Sequence, residues 1–119
     1  LSRVLETMGL AEAATWASRP RLCHLTLFAL AVARWNLPRS AAASAWVFAW
    51  CENQAAAAMR LVPLGQTSGL RLMEQARRVI PEIVASGLAL PDDECGWGCP
   101  GLSVASASHE TQYSRLFRS

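Results

Sequence analysis

Four cysteines and two histidines are the residues of this sequence best suited to bind a transition metal. Cys95 and Cys99 lie closest together, in a C-x3-C pattern, while His24 and His109 are distant along the chain. Zinc-binding loops usually pair cysteines at C-x2-C or C-x4-C spacing and need a second pair of ligands. No second pair accompanies this one, so the sequence predicts no metal site.

Ser108, His109 and Glu110 have the residue types of a hydrolytic triad. A nucleophile, its base and the orienting acid converge from separate elements, which three adjacent residues cannot do. The sequence also lacks the G-x-S-x-G, phosphate-loop, H-E-x-x-H and G-x-G-x-x-G motifs. We therefore predict that the protein is not an enzyme, and a small hydrolase using His109 and Glu110 is a remaining alternative.

The last eleven residues, HETQYSRLFRS, carry side chains that a disordered tail usually lacks. Tyr113, Leu116 and Phe117 stand at i, i+3 and i+4, with Arg115 and Arg118 beside them. One helical turn would present the three apolar side chains to a single groove, and the arginines would meet carboxylates at its rim. This pattern predicts a tail that docks on a partner.

The composition favours a layer of helices that packs against another part of a larger protein. Hydrophobic residues make up 52% of the chain, the mean hydropathy is +0.19, and the first residue is Leu1 rather than Met. The opening stretch also has a helical pattern from its first residues. We therefore expect this chain to be part of a longer protein.

Charge and hydropathy argue against nucleic-acid and membrane functions. The net charge is only +2, and all eleven basic residues are arginines, which is too little for a phosphate-binding surface. The longest apolar runs are shorter than the roughly 18 residues that a membrane span requires. No signal peptide opens the sequence, so we expect a cytoplasmic protein.

Helical patterns follow one another along the chain, and no pattern typical of strands occurs. Pro38 and Pro63 each end a helix, Gly9 weakens the first, and Pro81 predicts a kink in the fourth. The predicted helices span about 1–16, 21–36, 39–62, 68–86 and 102–108. The fold class is all-α, a bundle of about four to five helices within a larger all-α domain. Residues 1–108 form its C-terminal part, and residues 109–119 form the docking tail.

Two of these helices carry specific packing predictions. The third is apolar nearly all round, which is typical of a central helix, and four of the five tryptophans, at 16, 35, 46 and 50, are expected in the core. The fourth helix is expected to bury Leu72, Met73, Ala76, Val79, Ile80 and Ile83.

The turn PLGQTSG joins the third helix to the fourth. Gly65 is predicted to need a backbone conformation closed to other residues, and Thr67 or Ser68 to cap the next helix. Arg60, in the last turn before it, either complements the helix dipole or contacts a partner. A helix-turn-helix module using Gln66, Thr67, Arg71 and Arg78 is the other alternative, although the chain lacks a basic face.

Two stretches resemble the urease accessory protein UreF family. They are MRLVPLGQTSGLRLM at 59–73 and SVASASHETQYSRLFRS at 103–119, and His24 with its apolar helix is similar to a third. The resemblance covers this chain but only the C-terminal half of the family. Cys95 and Cys99 fall in a loop that varies in the family, so nickel chemistry is not carried over to them.

The resemblance implies a non-catalytic, dimer-forming scaffold in the nickel-dependent maturation of urease. It would bridge the accessory protein UreD, also called UreH, and the GTPase UreG on apo-urease. Nickel and GTP would belong to that complex, with no cofactor bound directly by this chain. The expected partner-binding residues are Arg60, Gly65, Gln66, Thr67, His109, Glu110, Gln112, Tyr113, Arg115, Leu116, Phe117 and Arg118.

Overall fold

A computed structural model of the chain describes residues 1–20, 22–62, 64–96, 98–109 and 111–113. These residues form α-helices without a β-strand, so the all-α prediction is confirmed. The helices are α1 (Ser2–Thr7), α2 (Glu12–Ala17), α3 (His24–Arg34), α4 (Arg39–Leu61), α5 (Gln66–Ala89) and α6 (Pro100–His109), with a 3-10 turn at Asp92–Glu94. Two compact units can be distinguished, Leu1–Val47 and Phe48–Ser119.

The first predicted helix is in fact two helices, because the chain turns sharply at Gly9. Gly9 has a φ of 91°, a left-handed conformation that glycine adopts without steric cost. Its N–H donates to the carbonyl of Glu6 at 3.0 Å, and the N–H of Leu10 donates to the carbonyl of Leu5 at 2.8 Å. This pair of bonds is a Schellman motif, which satisfies the last carbonyls of α1 and ends the helix.

The core of the first unit lies among α1, α2 and α3. Its buried side chains are small or aliphatic, and half-buried apolar residues pack around them. The buried set is Leu5, Ala13, Leu27 and Ala31, and the surrounding set is Leu10, Trp16, Leu22 and Leu30. The turn at Gly9 brings Leu10 against the same cluster as Leu5, so the break in the helix builds the core.

The tryptophans divide between packed and exposed positions. The Trp46 ring lies 5.0 Å from that of Phe28, and Arg19 stacks over Trp16 at 4.3 Å. Trp50 is 54% exposed and Trp35 is also exposed. The prediction that all four belong to the core is therefore wrong for these two.

The two longest helices bury less than their sequences suggest. In α4 the buried residues are Ala42 and Ala55, while Phe48 and Trp50 are exposed. The second unit thus presents an exposed apolar surface, and the expectation of a helix covered on several sides fails among the described residues.

In α5, Ile80 and Val84 are buried, but Leu72, Val79 and Ile83 are exposed, contrary to the predicted inner face. The helix starts two residues earlier than predicted and continues through Pro81 to Ala89.

An ion pair joins α2 to α3 at the surface of the first unit. Arg34 donates from Nη2 to Oε2 of Glu12 at 2.8 Å and from Nε to Oε1. The hydrogen bond from Arg34 lowers the pKa of the Glu12 carboxyl, and the same bond raises the pKa of Arg34. Such bidentate geometry holds the two helices in one register more firmly than a single contact would.

We predict that Glu12→Gln lowers the melting temperature slightly at pH 7 and by a smaller amount at about pH 3. The pKa of Glu12 is depressed in the folded state, so its stabilisation is present above the unfolded pKa and is lost as the pH falls through the folded one. Melting curves of both proteins between those pH values test this. Glu6→Gln, at a carboxyl without an ion-pair partner among the described residues, is the control; an equal deficit at both pH values would contradict the role of the Glu12 charge.

Candidate functional site

The junction between α4 and α5 holds the first group of predicted site residues. Arg60 lies in the last turn of α4, and Gln66 and Thr67 are the first two residues of α5. All three are exposed. The chain turns through a short segment in which the N–H of Leu64 donates to the carbonyl of Val62 at 2.6 Å. The junction therefore displays one cation and two polar side chains on a tight turn.

Gly65 does not have the backbone role that the sequence predicted. Its φ of −63° and ψ of 157° are open to any residue, and no atom lies within 4 Å of the position that a Cβ would take. Gly65 is the N-cap of α5, where its carbonyl accepts from the N–H of Ser68 at 2.9 Å. Thr67 and Ser68 lie inside the helix and do not cap it.

Gly69, which sequence reasoning missed, is the glycine of the junction that another helix contacts. It is buried in the first turns of α5, and the Met59 side chain of α4 occupies the space that a Cβ would need. A methyl group at position 69 would overlap Sδ of Met59 and lie 3.2 Å from its Cε. The signal available in the sequence was a glycine inside a helical pattern, which usually has a packing reason.

Two shallow apolar grooves share the Met59–Gly69 contact. The larger, of about 360 Å³, is lined by Glu52, Ala55, Ala56, Met59, Gln66, Gly69, Leu70 and Met73. The smaller, of about 260 Å³, is lined by Ala55, Met59, Leu64, Ser68, Gly69, Arg71, Leu72 and Gln75. The predicted site residue Gln66 thus stands at the edge of a groove large enough for a side chain of a partner.

The start of the tail is organised by local hydrogen bonds after α6. Nδ1 of His109 and Oε1 of Gln112 are 3.0 Å apart, and the Thr111 hydroxyl donates to the carbonyl of Ser108 at 3.0 Å. The side chain of Tyr113 is fully exposed. His109 thus makes a local hydrogen bond at the start of the tail, and its role in partner binding stays a prediction. The predicted site residues Glu110, Arg115, Leu116, Phe117 and Arg118 lie outside the described residues.

His24 begins α3 in an exposed position, with its ring 5.8 Å from that of Trp46. Cys23 is the N-cap of the same helix, and its Sγ lies 3.2 Å from the hydroxyl oxygen of Thr26. That hydrogen bond lowers the pKa of the exposed Cys23 thiol. Cys23 is therefore an exposed thiol at the start of α3.

Metal-binding donors do not converge in the part of the chain that the structure describes. All four cysteines are free thiols, and Cys95 and Cys99 are both exposed. Among the described residues, no group of three or more histidine, cysteine, aspartate or glutamate side chains could hold a metal ion. The described donor set thus fits no resident metal.

Both alternative functions receive little support from the geometry. Nδ1 of His109 is engaged with the side chain of Gln112. In α5, Arg77 donates to Glu74 at 3.0 Å from both Nε and Nη2, and Arg78 donates to the same carboxylate at 3.4 Å. Arg78, one of the two arginines assigned to the helix-turn-helix alternative, is thus paired with a glutamate of its own helix.

None of the described helices is both long and apolar enough to cross a membrane.

The amino-acid sequence is similar to those of one known protein family. The family model described as UreF matches residues 1–77. Proteins named urease accessory protein UreF are 54% identical in Alkalilimnicola ehrlichii, 39% in Hahella chejuensis and 38% in Pseudomonas putida, each over the full chain. The chain spans about half of each relative, from 52% to 53% of its length. No solved structure matches.

We predict that Gly65→Ser raises the free energy of unfolding by roughly 0.5 kcal/mol, because serine is a good N-cap and restricts the unfolded chain. The open space around Gly65 accommodates the new side chain. Urea titration of both proteins measures the difference. A loss of stability instead would mean that the glycine is required there after all.

Proposed function

The chain belongs to the UreF family, and on that premise we propose that it is a non-catalytic scaffold of urease maturation. In this proposal it acts in the cytoplasm and bridges UreD, or UreH, and the GTPase UreG on apo-urease. Nickel and GTP are carried by the partner complex, and the chain functions as a homodimer within it. Whole-chain similarity to proteins named urease accessory protein UreF is the observation that carries the proposal.

The tail supplies one of the two proposed contact surfaces. Tyr113 has no cover from its own chain among the described residues, and it opens a segment rich in apolar and arginine side chains. Burial of a tyrosine and a neighbouring phenylalanine in a groove is the kind of contact that dominates binding energy at interfaces. The hydrogen bond between His109 and Gln112 gives the segment a defined starting point.

The α4–α5 junction supplies the second surface. Arg60, Gln66 and Thr67 are exposed there beside the apolar groove, so a partner side chain can combine burial with polar contacts. Interfaces commonly have this arrangement of an apolar centre and a polar rim. Two separate surfaces are what a protein needs if it is to bridge two partners.

We predict that deletion of residues 113–119 from the full-length protein abolishes capture of UreD and urease activation, while helix content stays nearly unchanged. The deleted segment follows the end of α6 and adds none of the described helices. Co-purification with UreD and UreG from the same source, together with circular dichroism, measures both effects.

Leu102→Ala and Val104→Ala are matched controls for this deletion, because they remove exposed apolar side chains from α6 and leave the tail intact. Both variants should retain capture. Normal urease activation by the truncated protein would refute the tail as a docking segment.

We predict that Arg60→Ala weakens partner capture roughly tenfold, the size expected for loss of a charge-assisted contact, and leaves folding intact. Arg60→Lys separates the two roles of the residue: lysine keeps the charge that complements the helix dipole but lacks the planar fork for bidentate contact. Titration of capture with purified partner measures each variant. If lysine restores binding fully, the role of Arg60 is only that of a positive charge.

A further inference from the structure

We propose that Cys95 and Cys99 are a redox modification site, at which a reversible disulfide closes the loop between the 3-10 turn and α6. The oxidant is a small disulfide of the glutathione class. The scaffold role uses neither cysteine, so the bond itself goes beyond that role. Only its effect on partner capture rests on the proposed function.

The two thiols are both exposed and lie on one short loop. Cys95 ends the 3-10 turn, where its N–H donates to the carbonyl of Asp92 at 3.3 Å. The carbonyl of Cys99 accepts from the N–H of Ser103 at 3.0 Å, at the start of α6. Every other pair of cysteines is much farther apart along the chain, so this pair has the lowest entropy cost of bringing two sulfurs together.

The loop has the backbone freedom that ring closure needs. A disulfide requires the two Cα atoms to lie within about 7 Å, whereas four extended residues span about 13 Å, so the chain must fold back. Gly96 already turns it, with a φ of 113° in the left-handed region. No atom lies within 4 Å of a Cβ placed on Gly96 or Gly98. The loop can therefore close without displacing a packed side chain at either glycine.

The chemistry is thiol–disulfide exchange. The thiolate of one cysteine attacks a sulfur of glutathione disulfide, which forms a mixed disulfide and releases one glutathione. The thiolate of the other cysteine attacks the protein sulfur of that mixed disulfide, forms the Cys95–Cys99 bond and releases the second glutathione. Two cysteine thiols are oxidised, one disulfide is reduced, and the two thiol protons end on the two glutathiones. In the reduced loop the Cys95 thiol donates only a weak S–H hydrogen bond, of 3.5 Å, to the carbonyl of Pro91.

The other two cysteines differ from this pair and provide an internal comparison. Cys51 is half-buried within α4, and Cys23 is exposed at the start of α3. The hydrogen bond from Thr26 lowers the pKa of the Cys23 thiol, which favours its reactive thiolate form. Cys23 should therefore react with glutathione disulfide, but its reaction should stop at the mixed disulfide.

The loop also influences the direction in which α6 leaves it. None of the ten residues of α6 is buried, so the preceding loop holds this helix more than packing does. A disulfide at the start of α6 would restrict that loop. The tail that follows α6 would then have fewer orientations in which to reach a partner, so oxidation should weaken capture.

Equilibration of the full-length protein in glutathione redox buffers, followed by alkylation and peptide mass spectrometry, tests the bond. The peptide with Cys95 and Cys99 should lose two hydrogens and carry no glutathione, whereas Cys23 should carry one. In Cys95→Ser, Cys99 should retain the glutathione because the second thiol is gone. If Cys95 and Cys99 stay reduced or keep glutathione in the buffer that modifies Cys23, the proposal is wrong.

Capture of UreD by the oxidised and the reduced protein tests the regulatory effect. Oxidation should weaken capture about fivefold, and reduced glutathione should restore it. A protein with both Cys95→Ser and Cys99→Ser should capture equally in both buffers, and Cys23→Ser should respond as the unsubstituted protein does. Equal capture by the two forms of the unsubstituted protein would refute the effect on the tail. Failure of the reduced protein to capture UreD would instead refute the scaffold role.

Discussion

The contact of the Met59 side chain with Gly69 is the packing interaction that joins α4 to α5 at the candidate site. The helices it joins, α4 and α5, are 23 and 24 residues long and are connected by a very short turn. A turn of that length permits several angles between two long helices, and packing between the side chains selects one. The Met59 side chain and Gly69 meet at this junction, and the grooves on either side have both residues in common.

The fold class followed from the sequence because helical periodicity and proline positions are local signals. Pro38 stands just before the start of α4 and outside any helix, as predicted, whereas Pro63 lies outside the described residues. The role of Gly9 was harder to predict from the sequence. A glycine can lie within a continuous helix, or it can end the helix by adopting a left-handed conformation. Only the hydrogen bonds of the neighbouring carbonyls separate these possibilities.

The candidate site was predictable in composition but not in geometry. Sequence reasoning identified the junction and the importance of a glycine there, yet it chose Gly65 when Gly69 is the one in contact. The choice depends on which atoms of another helix lie nearby, and that information is not local. The prediction that the tryptophans are buried failed for the same reason. Hydrophobicity indicates that the Trp50 side chain favours burial, but it does not show whether another part of the chain lies over it.

A thioether at the centre of the junction also has a chemical consequence. Met59 is 36% exposed, so part of its side chain is accessible to dissolved oxidants. Methionine sulfoxide is polar and carries an extra oxygen, which fits poorly against the surface of Gly69. Oxidation of Met59 would thus weaken its contact with Gly69, and methionine sulfoxide reductases would reverse the change.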